Sequence, residues 1–223
     1  MIPSFRVYLF DLDGTLVDSA VDICGAIQGV LASTPRNDVP FEFLKSYVGR
    51  HLLDLFQDLF PEYSLEQINA MIEQYRRIYP ARNHACTRCY PEAPNVLSRL
   101  PGKKSTATTK ATSTAIAVLE RFGLLPYFDH VQGTDGFPAK PNPEVIFKAL
   151  DALKARKEDC LFIGDSAPDM EAARRAGVKA CAVTYGYGKP EDLARWQPDY
   201  WIEDLRTLIP SQCSSADAIR EIV

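Results

Sequence analysis

The sequence of 223 residues contains no run of about 18 apolar residues, the length needed to cross a bilayer, so no membrane partner is expected. It has no surplus of positive charge. Lys and Arg number 25 against 29 Asp and Glu, a formal net charge of −4, which leaves no basic footprint for nucleic acid. The apolar start, Met1 to Phe10, runs straight into Asp11 and Asp13. It lacks the longer apolar region and small-residue cleavage site of a signal peptide, so a cytoplasmic location is expected. No internal repeat and no low-complexity tract is present. A disulfide framework is not expected in a chain of this length without a secretion signal, although six cysteines occur. Cys160 and Cys181 lie in apolar, strand-like runs and read as small buried hydrophobes. Cys86-x-x-Cys89, with His84 nearby, lacks the second Cys or His pair of a structural zinc site. It also lacks the thioredoxin-like βαβ setting of a redox pair.

What is present is an ordinary globular composition, 46% hydrophobic and 24% charged, in a length that suits one large domain and a small accessory one. Residues 7–10 are a short apolar run bounded by Asp and Gly, which predicts a buried strand. Asp18 or Ser19 can cap a following helix to about residue 33, with Ile23, Ile27, Val30 and Leu31 as its apolar stripe. From there to about Arg82 only helical signals occur. Leu52, Leu55, Phe56 and Leu59 repeat at helical spacing, Ser64 with Gln67 resembles a capping box, and Ile68, Met71, Ile72 and Tyr75 continue one apolar face.

After Pro91 helices alternate with strands. Helices are predicted at 93–100, 112–122, 143–153 and 169–176, and strands at 104–108, 130–132, 160–163 and 178–183, with a possible edge strand at 200–202. Gly177 fits a helix C-terminal stop, and the tail from Ser211 carries weak signals. Strands alternating with helices imply a doubly wound, Rossmann-like parallel sheet of α/β class. The expected division is an α/β core at residues 1–17 and 88–223 and a small α-helical cap domain at 18–87.

Polar clusters follow the expected strand ends: Asp11, Asp13, Gly14 and Thr15 after the first, Thr108, Thr109 and Lys110 after the second, and Gly164, Asp165, Ser166 and Asp169 after Ile163. In parallel α/β sheets the ligand crevice lies at these carboxyl ends. Side chains two apart on a strand share a face, so Asp11 and Asp13 are expected to look into one crevice, with Asp165 adding a third carboxyl. Clustered carboxylates take up protons unless a cation neutralises them, and oxygen ligands favour Mg²⁺. Mg²⁺ suits a phosphorylated substrate, and a carboxylate can serve as the nucleophile that receives the phosphoryl group. Gly14 lets the backbone approach closely, so its N–H can cradle phosphate oxygens. Arg50 can reach over the crevice to an anionic substrate.

The run Asp11-Leu12-Asp13-Gly14-Thr15-Leu16-Val17-Asp18-Ser19 resembles the first signature of the haloacid dehalogenase-like superfamily in its phosphatase form. Thr108, Lys140 in Lys140-Pro141-Asn142-Pro143, and Gly164-Asp165-Ser166-x-x-Asp169 stand where the second, third and fourth motifs fall. Val48-Gly49-Arg50, Tyr90-Pro91 and Ala172-Ala173-Arg174-Arg175-Ala176-Gly177 are similar to the phosphoglycolate phosphatase-like branch, which carries a helical (C1-type) cap. The resemblance implies Asp11 as nucleophile and metal ligand. It implies Asp13 as general acid and then base, with its carbonyl on the metal, Thr108 on the transferred phosphoryl group, and Lys140 offsetting the charge. Asp165 would complete the Mg²⁺ site, with Asp169 a ligand or its partner.

Gly14, Thr109, Lys110, Arg50 and Ser166 are the further candidates for substrate contact. Two departures stand out: Thr109 where that branch often has Asn, and Glu92 where Gly usually follows Tyr90-Pro91. The expected activity is Mg²⁺-dependent hydrolysis of a small phosphorylated metabolite by a monomer or small homo-oligomer. A phosphomutase or pyrophosphatase, a dehalogenase and a non-catalytic phosphate-binding protein are the rivals.

Overall fold

A computed structural model describes residues 2–210 of the chain. In chain order the elements are β1 (Val7–Phe10), β2 (Val17–Asp18), α1 (Ala20–Leu31), α2 (Phe41–Lys45), α3 (Leu52–Leu59), α4 (Leu65–Ala81), β3 (Arg88–Cys89), α5 (Ala93–Arg99), β4 (Lys103–Thr106), α6 (Thr112–Arg121), α7 (Glu144–Leu153), β5 (Cys160–Gly164), α8 (Ala167–Ala176), β6 (Lys179–Val183), α9 (Pro190–Ala194) and β7 (Tyr200–Ile202). Five strands form one parallel sheet in the order β4-β1-β5-β6-β7. Helices cover both faces, the α/β architecture expected from the sequence.

Alternation along the strands builds two cores. Tyr8, Phe10, Leu161, Ile163, Cys181 and Val183 pack on one face with α5 and α6. Val7, Leu9, Cys160, Phe162, Ala180 and Ala182 pack on the other with α7 and α8. Central strands buried on both faces need apolar residues at every position, which is why β1 reads Val-Tyr-Leu-Phe without a polar break. Burying Phe10 fully contributes about 2–3 kcal/mol.

Helices α1 to α4 form a third core of their own, centred on Ile27, Leu44, Phe56, Ile68 and Tyr79. The capping box expected at Ser64 is present: Gln67 N–H donates to Ser64 Oγ and Ser64 N–H to Gln67 Oε1. This helical unit leaves and rejoins the sheet through β2 and β3, which pair antiparallel. Asp22, fully buried on α1, pins the returning strand. It accepts from Cys86 N (2.9 Å), Thr87 Oγ1 (2.8 Å) and Arg82 Nε (3.2 Å). Burial alone would raise its carboxyl, but these donors outweigh burial and hold its pKa below the ordinary aspartate value.

Several expectations need correction. Residues 130–132 form no strand; a single bridge joins Ser105 to His130. The reason is local: Thr106 Oγ1 accepts from Gln132 N (2.8 Å) and donates to Gln132 O (2.9 Å), replacing the ladder with a side chain. Strand β4 ends at Thr106, not residue 108, because Thr108 N turns to Gln132 O. Helix α8 starts at Ala167, two residues earlier than expected, since Ser166 and Asp169 form a capping box with Pro168 in the first turn. The helix expected to reach residue 33 ends at Leu31, and α2, α9, β2 and β3 were not foreseen as separate elements. Cys24, Cys86, Cys89, Cys160 and Cys181 are free thiols. The tail from Ser211 lies outside the described residues. No helix among the described residues is long and apolar enough to cross a membrane.

Candidate active site

The site is assembled at the carboxyl edge of the sheet, where β1 is flanked by β4 and β5. Asp11 follows β1 and continues its ladder, donating its N–H to Ile163 O at 2.9 Å. Its side chain therefore emerges beside the end of β5, where Asp165 begins the turn into α8. Asp11, Asp165 and Asp169 are all buried, and each offers a carboxylate oxygen within 4.8 Å of the others. Lys140 is buried among them, with Nζ 2.9 Å from Asp11 Oδ1 and 2.5 Å from Asp169 Oδ1. The same ammonium sits 5.5 Å from the centre of the Phe162 ring.

Each acid is held differently. Asp169 Oδ2 accepts from Ser166 N (2.9 Å) and Oγ (2.6 Å), and its other oxygen meets Lys140, so its acceptor sites are largely filled. Asp165 Oδ1 accepts from Thr15 Oγ1 at 3.2 Å and Oδ2 from Tyr187 N at 2.7 Å. Asp11 Oδ1 is near Lys140, but no donor points along a hydrogen-bonding direction at it, leaving it a buried orphan acceptor. Gly14 is required here twice over. Its φ is +80°, and a Cβ would stand 2.2 Å from Asp165 Oδ2.

The electrostatics are unbalanced. Burial, with the nearby Asp169 and Asp13 carboxylates, pushes Asp11 up to about 6 against the pull of Lys140. Burial, then Asp169 and Asp11, holds Asp165 well above the usual carboxylate range. Burial would lower the Lys140 ammonium, but Asp11 and Asp169 outweigh it and keep it charged. Three acids against one ammonium leave room for two positive charges. A divalent cation bound by hard oxygen donors fits both that deficit and the orphan Asp11 oxygen.

The sequence profile of haloacid dehalogenase-like hydrolases matches residues 8–183, from β1 through β6. The chain belongs to that family. Among curated relatives of this hydrolase, phosphoglycolate phosphatase 1 of Pseudomonas aeruginosa is 32% identical over 98% of this chain and 82% of its own length. The phosphoglycolate phosphatase of Aquifex aeolicus is 30% identical over 89% of this chain and 99% of its own. Among solved structures, a haloacid dehalogenase-like family hydrolase from Streptococcus pneumoniae superposes with a TM-score of 0.83 at 29% identity, covering 92% of this chain and 96% of that one.

The remaining candidates of the hydrolase lie beside this acid group or along the neighbouring cavity. The Asp13 carboxylate is not one of the three whose oxygens lie within 4.8 Å of one another, but it is near enough to raise the Asp11 carboxyl. Asp13 accepts from Ser19 Oγ and pairs with Lys110 Nζ at 2.9 Å. Lys110, its side chain 8% exposed, also donates to Tyr79 Oη at 3.1 Å and lies 4.6 Å from the Tyr79 ring centre. Burial lowers its pKa, but Asp13 and the two tyrosines Tyr79 and Tyr75 outweigh burial and keep it charged.

Asp13, Thr109, Lys110, Arg50, Tyr75 and Tyr79 line a cavity of about 470 Å³ between the sheet edge and the helical unit. Arg50 is exposed there, its guanidinium 5.1 Å from the Tyr47 ring centre. Thr108 is buried, and its Oγ1 accepts from Lys110 N at 3.3 Å. Ser166 is spent on Asp169, and Gly49 of the helical unit packs against it closely enough that a Cβ would lie 3.3 Å from its Oγ.

Thr15 and Ser19 stand in the first motif without a site role assigned there, and Asp22 and Tyr187 lie outside the motifs. One signal was available for Tyr187: Tyr185-Gly186-Tyr187-Gly188 follows a strand end, as Asp13-Gly14 does.

Proposed function

We propose that the protein is a Mg²⁺-dependent phosphatase that hydrolyses a small, phosphoglycolate-like phosphomonoester through a phosphoryl-Asp11 intermediate. The observation that carries this reading is the buried acid group with Lys140, in which only Asp11 keeps an oxygen without a directed donor. The names of the relatives support the phosphoester class. Asp11 and Asp165, with the Asp13 carbonyl, would hold the ion, and Asp169 would orient Lys140 in place of binding the ion directly. When bound, the cation supplies charge neutralisation at the phosphoryl oxygens and Asp11.

The rest is done by this chain. A carboxylate oxygen of Asp11 attacks phosphorus in line, and the bond from phosphorus to the ester oxygen breaks with its electron pair leaving on that oxygen. Asp13, on the cavity side, takes up a proton as its ion pair with Lys110 opens and gives that proton to the ester oxygen, so an alcohol departs. Asp13 as carboxylate then takes a proton from water as the water oxygen attacks phosphorus. The Asp11–phosphorus bond breaks, freeing inorganic phosphate and the Asp11 carboxylate. Lys140 and Thr108 stabilise the charge on the transferred group. Thr109, Lys110 and Arg50 surround the leaving group, while Gly14 and Ser166 shape the phosphoryl side.

Residues 18–87 would act as a cap that closes over the crevice, excludes water and selects the ester. Phosphate release from a panel of small phosphometabolites, with Mg²⁺ and with chelator, tests the reading. Chelator-sensitive release that disappears in Asp11→Asn is the expected result. Undiminished release by Asp11→Asn refutes the nucleophile, and transfer to a sugar-phosphate acceptor in preference to water would make the protein a mutase.

A further inference from the structure

We propose that Tyr187 is a positioning residue that clasps the first helix of the cap to the Asp165 loop, coupling cap placement to the acid site. The functional half of this statement rests on the phosphatase reading above; the clasp itself rests on geometry. Tyr187 lies in the loop after β6. Its backbone N–H donates to Asp165 Oδ2 at 2.7 Å. Its phenol reaches the other way. The oxygen accepts from Ser19 N (2.7 Å) and Ala20 N (3.0 Å), and donates to Asp18 Oδ1 (2.7 Å). One donor and two acceptor sites are all a phenol has, so its capacity is fully used.

The need for this contact is visible in α1. Ser19 occupies the position where a hydroxyl normally caps the helix, but no side-chain cap bond is made there, because its Oγ is turned to Asp13. The opening amides would otherwise lack partners, and Tyr187 supplies one from across the molecule, 167 residues away from Ala20. Lys45 of α2 lies 5.7 Å from the same ring centre, so a second cap helix meets it.

The loop is moulded to hold this position. A Cβ at Gly186 would stand 2.3 Å from the Asp165 Cβ, and one at Gly188 2.0 Å from the Asp165 carbonyl oxygen. Helix α1 in turn carries Ile23 and Ile27, which line the cavity beside Asp13. One residue therefore spans from a carboxylate of the acid group to the wall that faces the leaving group. A helix cap acting only on α1 would change the stability of that helix and nothing at the site; the clasp predicts that both move together.

Tyr187→Phe removes the hydroxyl and keeps the ring and the N–H to Asp165. Two measurements decide the matter. In metal-free protein, amide exchange at Ser19 and Ala20 should accelerate about tenfold, with a smaller rise at Tyr187 itself. With Mg²⁺ and a small phosphomonoester, KM should rise about tenfold while kcat changes less than about threefold.

Exchange confined to Ser19 and Ala20 with an unchanged KM reduces Tyr187 to a helix cap and overturns the proposal. Unaltered exchange at both amides overturns it too. If the wild-type protein hydrolyses no phosphomonoester, the phosphatase reading falls, and the spread of exchange from Ala20 to Tyr187 still decides the clasp. Should Tyr187→Phe fail to fold, Asp18→Ala, which removes the phenol's acceptor, must give the same paired change at lower amplitude or the clasp is rejected.

Discussion

The sheet edge and the helical unit solve opposite problems. At the edge, Asp11, Asp165, Asp169 and Lys140 are buried charges whose geometry is fixed by strands, a capping box and a glycine that admits no Cβ. The helical unit holds itself together with Ile27, Leu44, Phe56 and Ile68, and turns tyrosines and an exposed arginine toward the cavity. Charge is buried where strands and a capping box fix the backbone, and the cavity beside it is walled by a unit with its own apolar core. The unit is tied to the sheet domain by the β2–β3 pair, by Lys110 with Tyr79 and by Tyr187 with Asp18, Ser19 and Ala20.

The largest effect expected from a single change falls on the sheet edge. Asp11→Asn should lower kcat by about four orders of magnitude with little change in melting temperature, as seen when a nucleophile is removed from a preformed site. Loss of folding in that variant, read by circular dichroism, would show that the acid group is structural and would erase the contrast.

Phe56→Ala probes the other side. Fully buried in the core of the helical unit, Phe56 should cost about 3–5 kcal/mol when truncated. Hydrogen exchange should rise across α1, α3 and α4 while β1 and β5 stay protected. Uniform loss of protection would mean that the two regions unfold as one.

Gly14→Ala should cost about 2–4 kcal/mol, since the left-handed φ and the clash with Asp165 must both be relieved. Denaturant titration checks this, with weakened Mg²⁺ activation as the companion.

Asp22→Asn addresses the junction between the regions. It should destabilise by about 1–3 kcal/mol at pH 7. Because the folded-state pKa is depressed, this stabilisation is present above the unfolded value near 4 and vanishes as pH falls through the lower folded value. The gap between wild type and variant should therefore close below about pH 4. A gap independent of pH would remove charge from the explanation.

The smallest expected effect is a difference of differences. The raised carboxyls Asp11 and Asp165 contribute stability that is present below about pH 4 and lost as pH rises through their folded values, about 6 for Asp11. Mg²⁺ should offset that loss, so the rise in melting temperature on adding Mg²⁺ should be a few degrees larger at pH 8 than at pH 5. Equal shifts at both values would place the ion elsewhere.

Local pattern determined a good part of this protein. Val-Tyr-Leu-Phe is a strand because every position is apolar, and the spacing of Ile68, Met71 and Ile72 permits only a helix. The first, third and fourth motifs marked Asp11, Lys140, Asp165 and Asp169; Asp11 and Asp165 converge because they follow the paired strands β1 and β5.

Tertiary structure alone decided which partner each acid found. Asp13 pairs with Lys110, which follows the neighbouring strand β4, while Asp11 pairs with Lys140, which arrives from the loop before α7. Ser19 gave up its helix to bond Asp13, and a tyrosine far along the sequence took over the cap. Periodicity is a property of neighbours in the chain, whereas the direction of a hydrogen bond depends on atoms that folding brings within about 3 Å.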